Sequence, residues 1–270
     1  MPRPETEELV QAAVAVSEVP GLALAVVEGG AVTWAGGFGV REAGGGEAVD
    51  ADTIFAVASL SKPPFAYLAL QLAARGALEL DADARALLSH TSGRGNWDGE
   101  PSEPGTWRYS GEGYVALQET IEERTGVALE VLAERELFRP LGLDRTAYVW
   151  HDDWSNVADG HGESSTGGHR FPKSFSAFSM HTTATDYAQL VAAMLRDPVA
   201  APMFEPAAHI DAELAWGLGL GLCGEVFWHW GDCGDFQSTV VGSRAERRAL
   251  VCLTNSEHGL PLCAELTARL

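Results

Sequence analysis

Between Glu5 and Glu18 the apolar positions fall at Leu9, Val10, Ala13, Val14 and Val16. That spacing predicts a helix, and Pro20-Gly21 stops it. Two apolar runs follow, Leu22 to Val27 and Ala31 to Val40, around Gly29-Gly30. They read as a β-hairpin. From Ser59 to about Arg135 the period turns helical. Phe65 to Arg75 is a strongly apolar helix closed by Gly76, Tyr114 to Arg124 ends at Thr125-Gly126, and Leu129 to Leu137 precedes Pro140. Gly93 to Gly113 and His151 to Phe171 are long loops. Thr183 to Arg196 is helical again, with Asp197-Pro198 as the stop. Strand-like segments then recur at Trp216 to Cys223, Val226 to Trp230, Ser238 to Gly242 and Ala249 to Thr254, before a helix from about Leu260 to Leu270.

This order predicts an α/β (α+β) protein whose antiparallel sheet is completed by both ends of the chain and flanked by terminal helices. Residues 1–58 and 170–270 form the sheet lobe of this reading. Residues 59–169 form a mainly helical insert, in one continuous structural unit with a cleft between the lobes. No internal repeat and no low-complexity tract interrupts the pattern.

Composition adds limits. The chain has 270 residues, 46% hydrophobic and 21% charged, enough for a full core. A formal net charge of −20 argues against nucleic acid and anionic membranes as partners. No stretch approaches the roughly 20 apolar residues of a membrane helix. The start, Met1-Pro2-Arg3-Pro4-Glu5, lacks a basic region followed by an apolar core, so a cytoplasmic protein is expected. Cys223, Cys233, Cys252 and Cys263 form no Cys-x-x-Cys pair and are expected to be buried thiols of strands and a helix.

Lysine is nearly absent. Lys62 and Lys173 are the two that occur, and Lys62 closes Ser59-Leu60-Ser61-Lys62. Arg keeps its proton near neutral pH, whereas a desolvated Lys can lose it and act as a base. On a helix, residues three apart share a face, so the Ser59 hydroxyl and the Lys62 amine can meet. Pro63-Pro64 fits only a first turn, which puts Ser59 near the positive end of the helix. By itself Ser-x-x-Lys also suits an N-cap serine followed by a solvated lysine. The apolar run Ile54 to Ala58 favours a buried amine with a lowered pKa.

The segment Phe55-Ala-Val-Ala-Ser-Leu-Ser-Lys-Pro63 resembles the active-site segment of serine β-lactamase-like hydrolases. That family includes class C β-lactamases, penicillin-binding proteins and related esterases. Leu87-Leu-Ser-His-Thr-Ser-Gly93 is similar to its His-x-Ser-Gly loop. Trp107-Arg-Tyr-Ser-Gly-Glu-Gly-Tyr114 resembles its Tyr-x-Asn loop. Phe178 to Tyr187 resembles the start of the helix after the insert, and His229-Trp230-Gly231 resembles the Lys/His-Thr-Gly strand motif. The order of landmarks spans roughly residues 5 to 265.

The resemblance implies Ser59 as nucleophile, with Lys62 as its base or as the group that holds Tyr109 as a basic phenolate. Tyr109 would later protonate the leaving group. The backbone N–H groups of Ser59 and Asp232 would form the oxyanion hole. Trp107, Gly111, His229, Trp230 and Gly231 would contact substrate, with His229 lining the cleft. Two positions depart from the pattern: Gly111 stands for its Asn, and Trp230 for its Thr. Both lost groups would help hold a β-lactam or peptide, so small carboxylic esters become the favoured substrates. β-Lactamase or D-alanyl-D-alanine carboxypeptidase activity on a β-lactam or amide is the alternative, and a silent ligand-binding scaffold is a third reading.

Other signals are weaker. His90 is expected to shape its loop. His151, Asp152, Asp153, His161 and His169 match no zinc spacing, so no metal and no cofactor are expected. No Gly-x-Ser-x-Gly elbow and no phosphate-cradling Gly-x-x-x-x-Gly-Lys occurs.

Overall fold

The computed structural model describes residues 4–97, 99–163 and 169–270. The N-terminal helix, α1, covers Pro4–Val16. The hairpin β1 (Gly21–Glu28) and β2 (Ala31–Gly39) turns at Gly29 and Gly30, whose φ angles of +60° and +78° suit glycine. A short strand, β3 (Phe55–Ala56), leads into one 3₁₀ turn at Ala58–Ser61 and helix α2 (Lys62–Ala74). Pro63 and Pro64 lie in the first turn of α2, where missing N–H groups cost nothing.

Helix α3 (Ala82–Leu88) starts at Asp81, whose carboxylate accepts from the Ala84 N–H at 2.9 Å. Helix α4 (Gly111–Thr125) starts at Ser110, which accepts from the Gly113 N–H in the same way. Helix α5 (Leu129–Ala133) passes through a π turn at Glu134–Phe138 into α6 (Arg139–Leu141). The expected stop before Pro140 therefore slips to Gly142, because Pro140 sits in the first turn of α6. Strand β4 (His181–Thr182) pairs with β3, and α7 (Ala184–Arg196) follows the Thr183 cap.

Strands β5 (Ala208–His209), β6 (Leu214–Trp216), β7 (Gly221–Cys223), β8 (Val226–Asp232), β9 (Gln237–Ser243) and β10 (Arg248–Thr254) come next. Helix α8 (Gly259–Arg269) closes the chain. The sheet order is β2-β1-β10-β9-β8-β7-β6-β5, antiparallel at every pair. The last strand thus pairs with the first, as the sequence order predicts. The single strand expected from Trp216 to Cys223 is instead two, β6 and β7, joined by a turn at 217–220. Gly219 there has φ +104°, and a Cβ on it would lie 2.5 Å from the Ala66 side chain. The alternation of Gly and Leu over 217–222 reads as a strand period and does not reveal a turn packed against α2.

Both faces of the sheet are covered. Leu22 and Leu24 of β1 join Cys252 of β10 in a cluster under α1 and α8, with Val10, Val14, Leu262 and Leu266. Ala23, Ala25 and Val27, one residue out of phase, face the main core with α7 and the inserted helices. This two-sided burial explains why β1 reads as a continuous apolar run rather than as an alternation. No helix among the described residues is long and apolar enough to cross a membrane.

Candidate active site

The 3₁₀ turn that carries Ser59 is held from three sides. The Tyr187 hydroxyl donates to the Leu60 carbonyl at 3.0 Å, and the Tyr148 hydroxyl donates to the Ser61 carbonyl at 2.8 Å. Ser61 Oγ donates to the Ala58 carbonyl at 2.6 Å and accepts from the Met180 N–H at 2.9 Å. Ala58 has φ +46°, a left-handed conformation that costs about 1–2 kcal/mol for a residue with a Cβ. The pins on either side hold the strained residue directly before Ser59.

The extended side chain of Lys62 runs through the core with 1% of its surface exposed. Its Nζ lies 2.9 Å from Ser59 Oγ and donates to the Ala177 carbonyl at 2.8 Å. No carboxylate is among the causes of its shift. Burial alone draws the amine from 10.5 down to about 7. The ring of Tyr109 lies beneath the amine, 4.9 Å from centroid to Nζ. Burial pushes the Tyr109 phenol above its ordinary range, and proximity to the Ser59 hydroxyl opposes that shift. The phenol oxygen itself is buried and satisfies no full hydrogen-bond geometry.

Strand β8 closes the site from the sheet side. A Cβ on Gly231 would lie 2.0 Å from the Val57 carbonyl, so only glycine lets β8 run this close to the serine turn. The approach brings Asp232 into the same cavity wall as Ser59. The Asp232 carboxylate turns away, accepting from the Gly234 N–H and the Gln237 side-chain amide.

That cavity holds about 150 Å³ and is lined by Ser59, Lys62, Trp97, Phe171, Phe178 and Cys233, among others. Of the five residues expected to contact substrate, none is in its lining. His229, expected to line the cleft, is buried at 1% exposure. The pleat turns Phe227, His229 and Gly231 inward, and His229 Nδ1 donates to the Trp230 carbonyl. Burial and the Lys62 charge hold its imidazole down at about 3. Trp230 stacks on Tyr109 at 5.5 Å, and Trp107 packs on Trp216 and His90. Gly111 lies under Trp97, whose ring carbons would meet a Cβ there at 2.4 Å. The indole thus fills the space beside the position that carries Asn in the resembling pattern.

Trp97, Phe171 and Phe178 are wall residues that the sequence did not single out. Trp97 is 52% exposed, meets Phe178 edge-on at 5.4 Å, and has φ +57°. Its place among the glycines of the 93–113 loop was the available signal. His90, with φ +60°, accepts from the Ser110 N–H at Nδ1 (3.1 Å) and packs at a tilt against Tyr109, ring centroids 4.4 Å apart. It therefore orders the loop that presents Tyr109. A larger, open groove of about 700 Å³ around Phe204 and Arg244 contains none of this chemistry.

The histidines of the 151–171 loop separate. His151 stacks on Trp154, and His161 accepts from the Ala43 N–H at Nε2. His169 instead meets Cys233 and Asp235, a grouping invisible in the spacing. The cysteines also divide. Cys252 and Cys263 are buried as expected, but Cys223 is exposed and Cys233 lines the cavity; all four are free thiols. Burial and the neighbouring Asp235 push the Cys233 thiol up to about 12. At neutral pH it is no nucleophile.

A family model described as Beta-lactamase matches residues 6–269. No curated protein matches the chain. Among solved structures, a class C beta lactamase from Rhodobacter sphaeroides superposes with a TM-score of 0.85 at 18% identity, covering 98% of each chain. A beta-lactamase/D-alanine carboxypeptidase from Pseudomonas syringae gives 0.83 at 18%, again covering 98% of each. An octameric penicillin-binding protein homologue from Pyrococcus abyssi gives 0.83 at 20%, covering 100% of this chain and 77% of that one. At these identities the likeness is one of fold.

Proposed function

Because the chain belongs to the beta-lactamase family of serine hydrolases, we propose that it hydrolyses small carboxylic esters through an acyl-enzyme on Ser59. One observation carries this reading: a buried amine, 2.9 Å from a serine hydroxyl, whose pKa is drawn to about 7. At pH 7 about half of such amines are neutral. A neutral Lys62 keeps an N–H for the Ala177 carbonyl and a lone pair for the Ser59 proton.

Ser59 Oγ attacks the ester carbonyl carbon as its proton passes to Lys62 Nζ. The oxyanion faces the backbone N–H groups of Ser59 and Asp232. The C–O bond to the alcohol then breaks, and the leaving oxygen takes a proton from Tyr109 or the Lys62 ammonium. Water attacks the acyl-enzyme, gives its proton to the same base, and releases the acid and Ser59. Lys62 is favoured as base over Tyr109, because burial keeps the phenol protonated at neutral pH. The ring face of Tyr109, rather than its oxygen, meets the amine.

The wall chemistry favours esters. A cavity of about 150 Å³ is of the size that holds a benzene ring. Short acyl or aryl-acyl groups fit it. Trp97, Phe171 and Phe178 give it apolar sides, and its lining contains no Arg. A β-lactam or a peptide terminus carries a carboxylate that this lining meets, among the described residues, with Lys62 and His169 but with no guanidinium. Turnover of such substrates is the second reading, supported by the fold likeness to named β-lactamases.

The test pairs p-nitrophenyl butyrate with a chromogenic cephalosporin, and follows fluorophosphonate labelling by mass spectrometry of the labelled peptide. Turnover of the ester, with the label on Ser59 and both abolished by Ser59→Ala, is expected. Undiminished turnover in Ser59→Ala refutes the nucleophile, and cephalosporin turnover exceeding ester turnover selects the second reading. Absence of labelling and of both activities favours a silent scaffold.

A further inference from the structure

The turn between β8 and β9 carries Cys233 and Asp235 on either side of Gly234, whose φ is +90°. The Cys233 N–H donates to the Phe236 carbonyl at 3.2 Å, which closes the turn and holds the two side chains in fixed relation. His169 reaches them from the distant 151–171 loop. Its ring packs edge-on against Phe236 at 5.7 Å, and its Nε2 is 2.5 Å from an Asp235 carboxylate oxygen. One ligand-type atom from each of His169, Cys233 and Asp235 lies within 4.8 Å of the other two. We propose that these three side chains are a binding site for a borderline divalent transition metal, with Zn²⁺ as the fitting ion.

The donor set selects the metal. Thiolate, imidazole and carboxylate together suit Zn²⁺, whereas Ca²⁺ and Mg²⁺ take oxygen ligands. Zinc bonds of about 2.0–2.3 Å in a tetrahedron leave donors about 3.3–3.8 Å apart. The His169–Asp235 pair, 2.5 Å apart, therefore needs to open by about 1 Å and the longer separations, at most 4.8 Å, to close by about 1 Å, within the reach of side-chain rotation. Two donors come from one tight turn and so are already ordered. A bound ion would also take over the compensation of Asp235, which is 3% exposed.

The cluster lies in the wall between two cavities. Cys233 and His169 line the 150 Å³ cavity of Ser59, and His169 and Asp235 line a neighbouring one of about 70 Å³. Three protein donors leave a fourth position open toward one of them. The proposal stands apart from the ester reading, since metal binding needs neither Ser59 nor Lys62.

Titration of chelator-treated, reduced full-length protein with Co²⁺ tests it. One Co²⁺ per chain, a near-ultraviolet thiolate-to-cobalt charge-transfer band and displacement of that band by Zn²⁺ are expected. Cys233→Ser should remove the band, and His169→Gln and Asp235→Asn should each weaken binding at least about tenfold. Cys223→Ser and Ser59→Ala should leave the band unchanged. Absence of the band overturns the proposal. So does a band that persists in Cys233→Ser, which marks an adventitious ion at another thiol. If Cys233→Ser fails to fold, the other two variants decide: unchanged affinity in both, with melting curves like the parent's, overturns the site.

Discussion

Replacing Lys62 with methionine should abolish hydrolysis and yet make the protein more stable at neutral pH. Methionine matches lysine in length and is flexible enough to fill the same channel. The amine titrates at 10.5 when free and at about 7 when buried here. At 1.36 kcal/mol per pH unit, that difference is roughly 5 kcal/mol of folding stability, missing at and below pH 7. The sign follows from linkage. The unfolded chain binds a proton below pH 10.5 that the folded chain releases above about 7, so protons favour the unfolded state throughout that window. Against this gain stand the contacts to Ser59 Oγ and the Ala177 carbonyl. Losing them costs about 1–3 kcal/mol, mostly from the orphaned buried carbonyl. The net is a gain of about 2–4 kcal/mol at pH 7, or about 4–10 °C in Tm at this chain length. Between pH 7 and 9 the parent should regain about 2 kcal/mol on the variant. Calorimetric melting of both proteins at several pH values measures the difference. A methionine variant less stable than the parent at pH 7, with a gap that does not change with pH, would refute a buried neutral amine.

Three further outcomes follow from the same site. If Lys62 is the base, the acylation rate should rise about tenfold between pH 6 and 8 and then level off, read by stopped-flow labelling; a rate still climbing above pH 9 would point to the Tyr109 phenolate instead. Gly231→Ala should force β8 away from the Val57 carbonyl, costing about 1–3 kcal/mol in denaturant melts. The same shift should lower kcat at least about tenfold with KM less affected, because the Asp232 N–H moves with the strand. Trp97→Ala should widen the cavity over Gly111 and raise kcat/KM for long-chain relative to short-chain p-nitrophenyl esters by about tenfold; an unchanged chain-length profile would remove Trp97 from the acyl wall.

Much of the molecule is local in origin and was legible along the chain. The Ser59–Lys62 contact needs only three residues of helix, and Pro63-Pro64 dictates where that helix starts. The N-terminal hairpin and the pairing of the last strand with the first follow from turn residues and from apolar runs that must be buried on two faces. Even the departures at Gly111 and Trp230 were visible as letters. Their consequences were not. That an indole fourteen residues earlier lies over Gly111, that His229 turns into the core, and that a single run at 216–223 folds into two strands all depend on which side of a strand meets which neighbour.

The sequence by itself determined the order of most elements and the meeting of Ser59 with Lys62, because each rests on a period of two or of three to four residues or on a proline's missing N–H. Tertiary structure alone decided how far Lys62 is removed from water, and therefore its pKa. It alone brought His169 beside Cys233 and Asp235, across a gap of more than sixty positions. Desolvation and convergence are properties of the space around a side chain, and distant segments create that space only when they pack together.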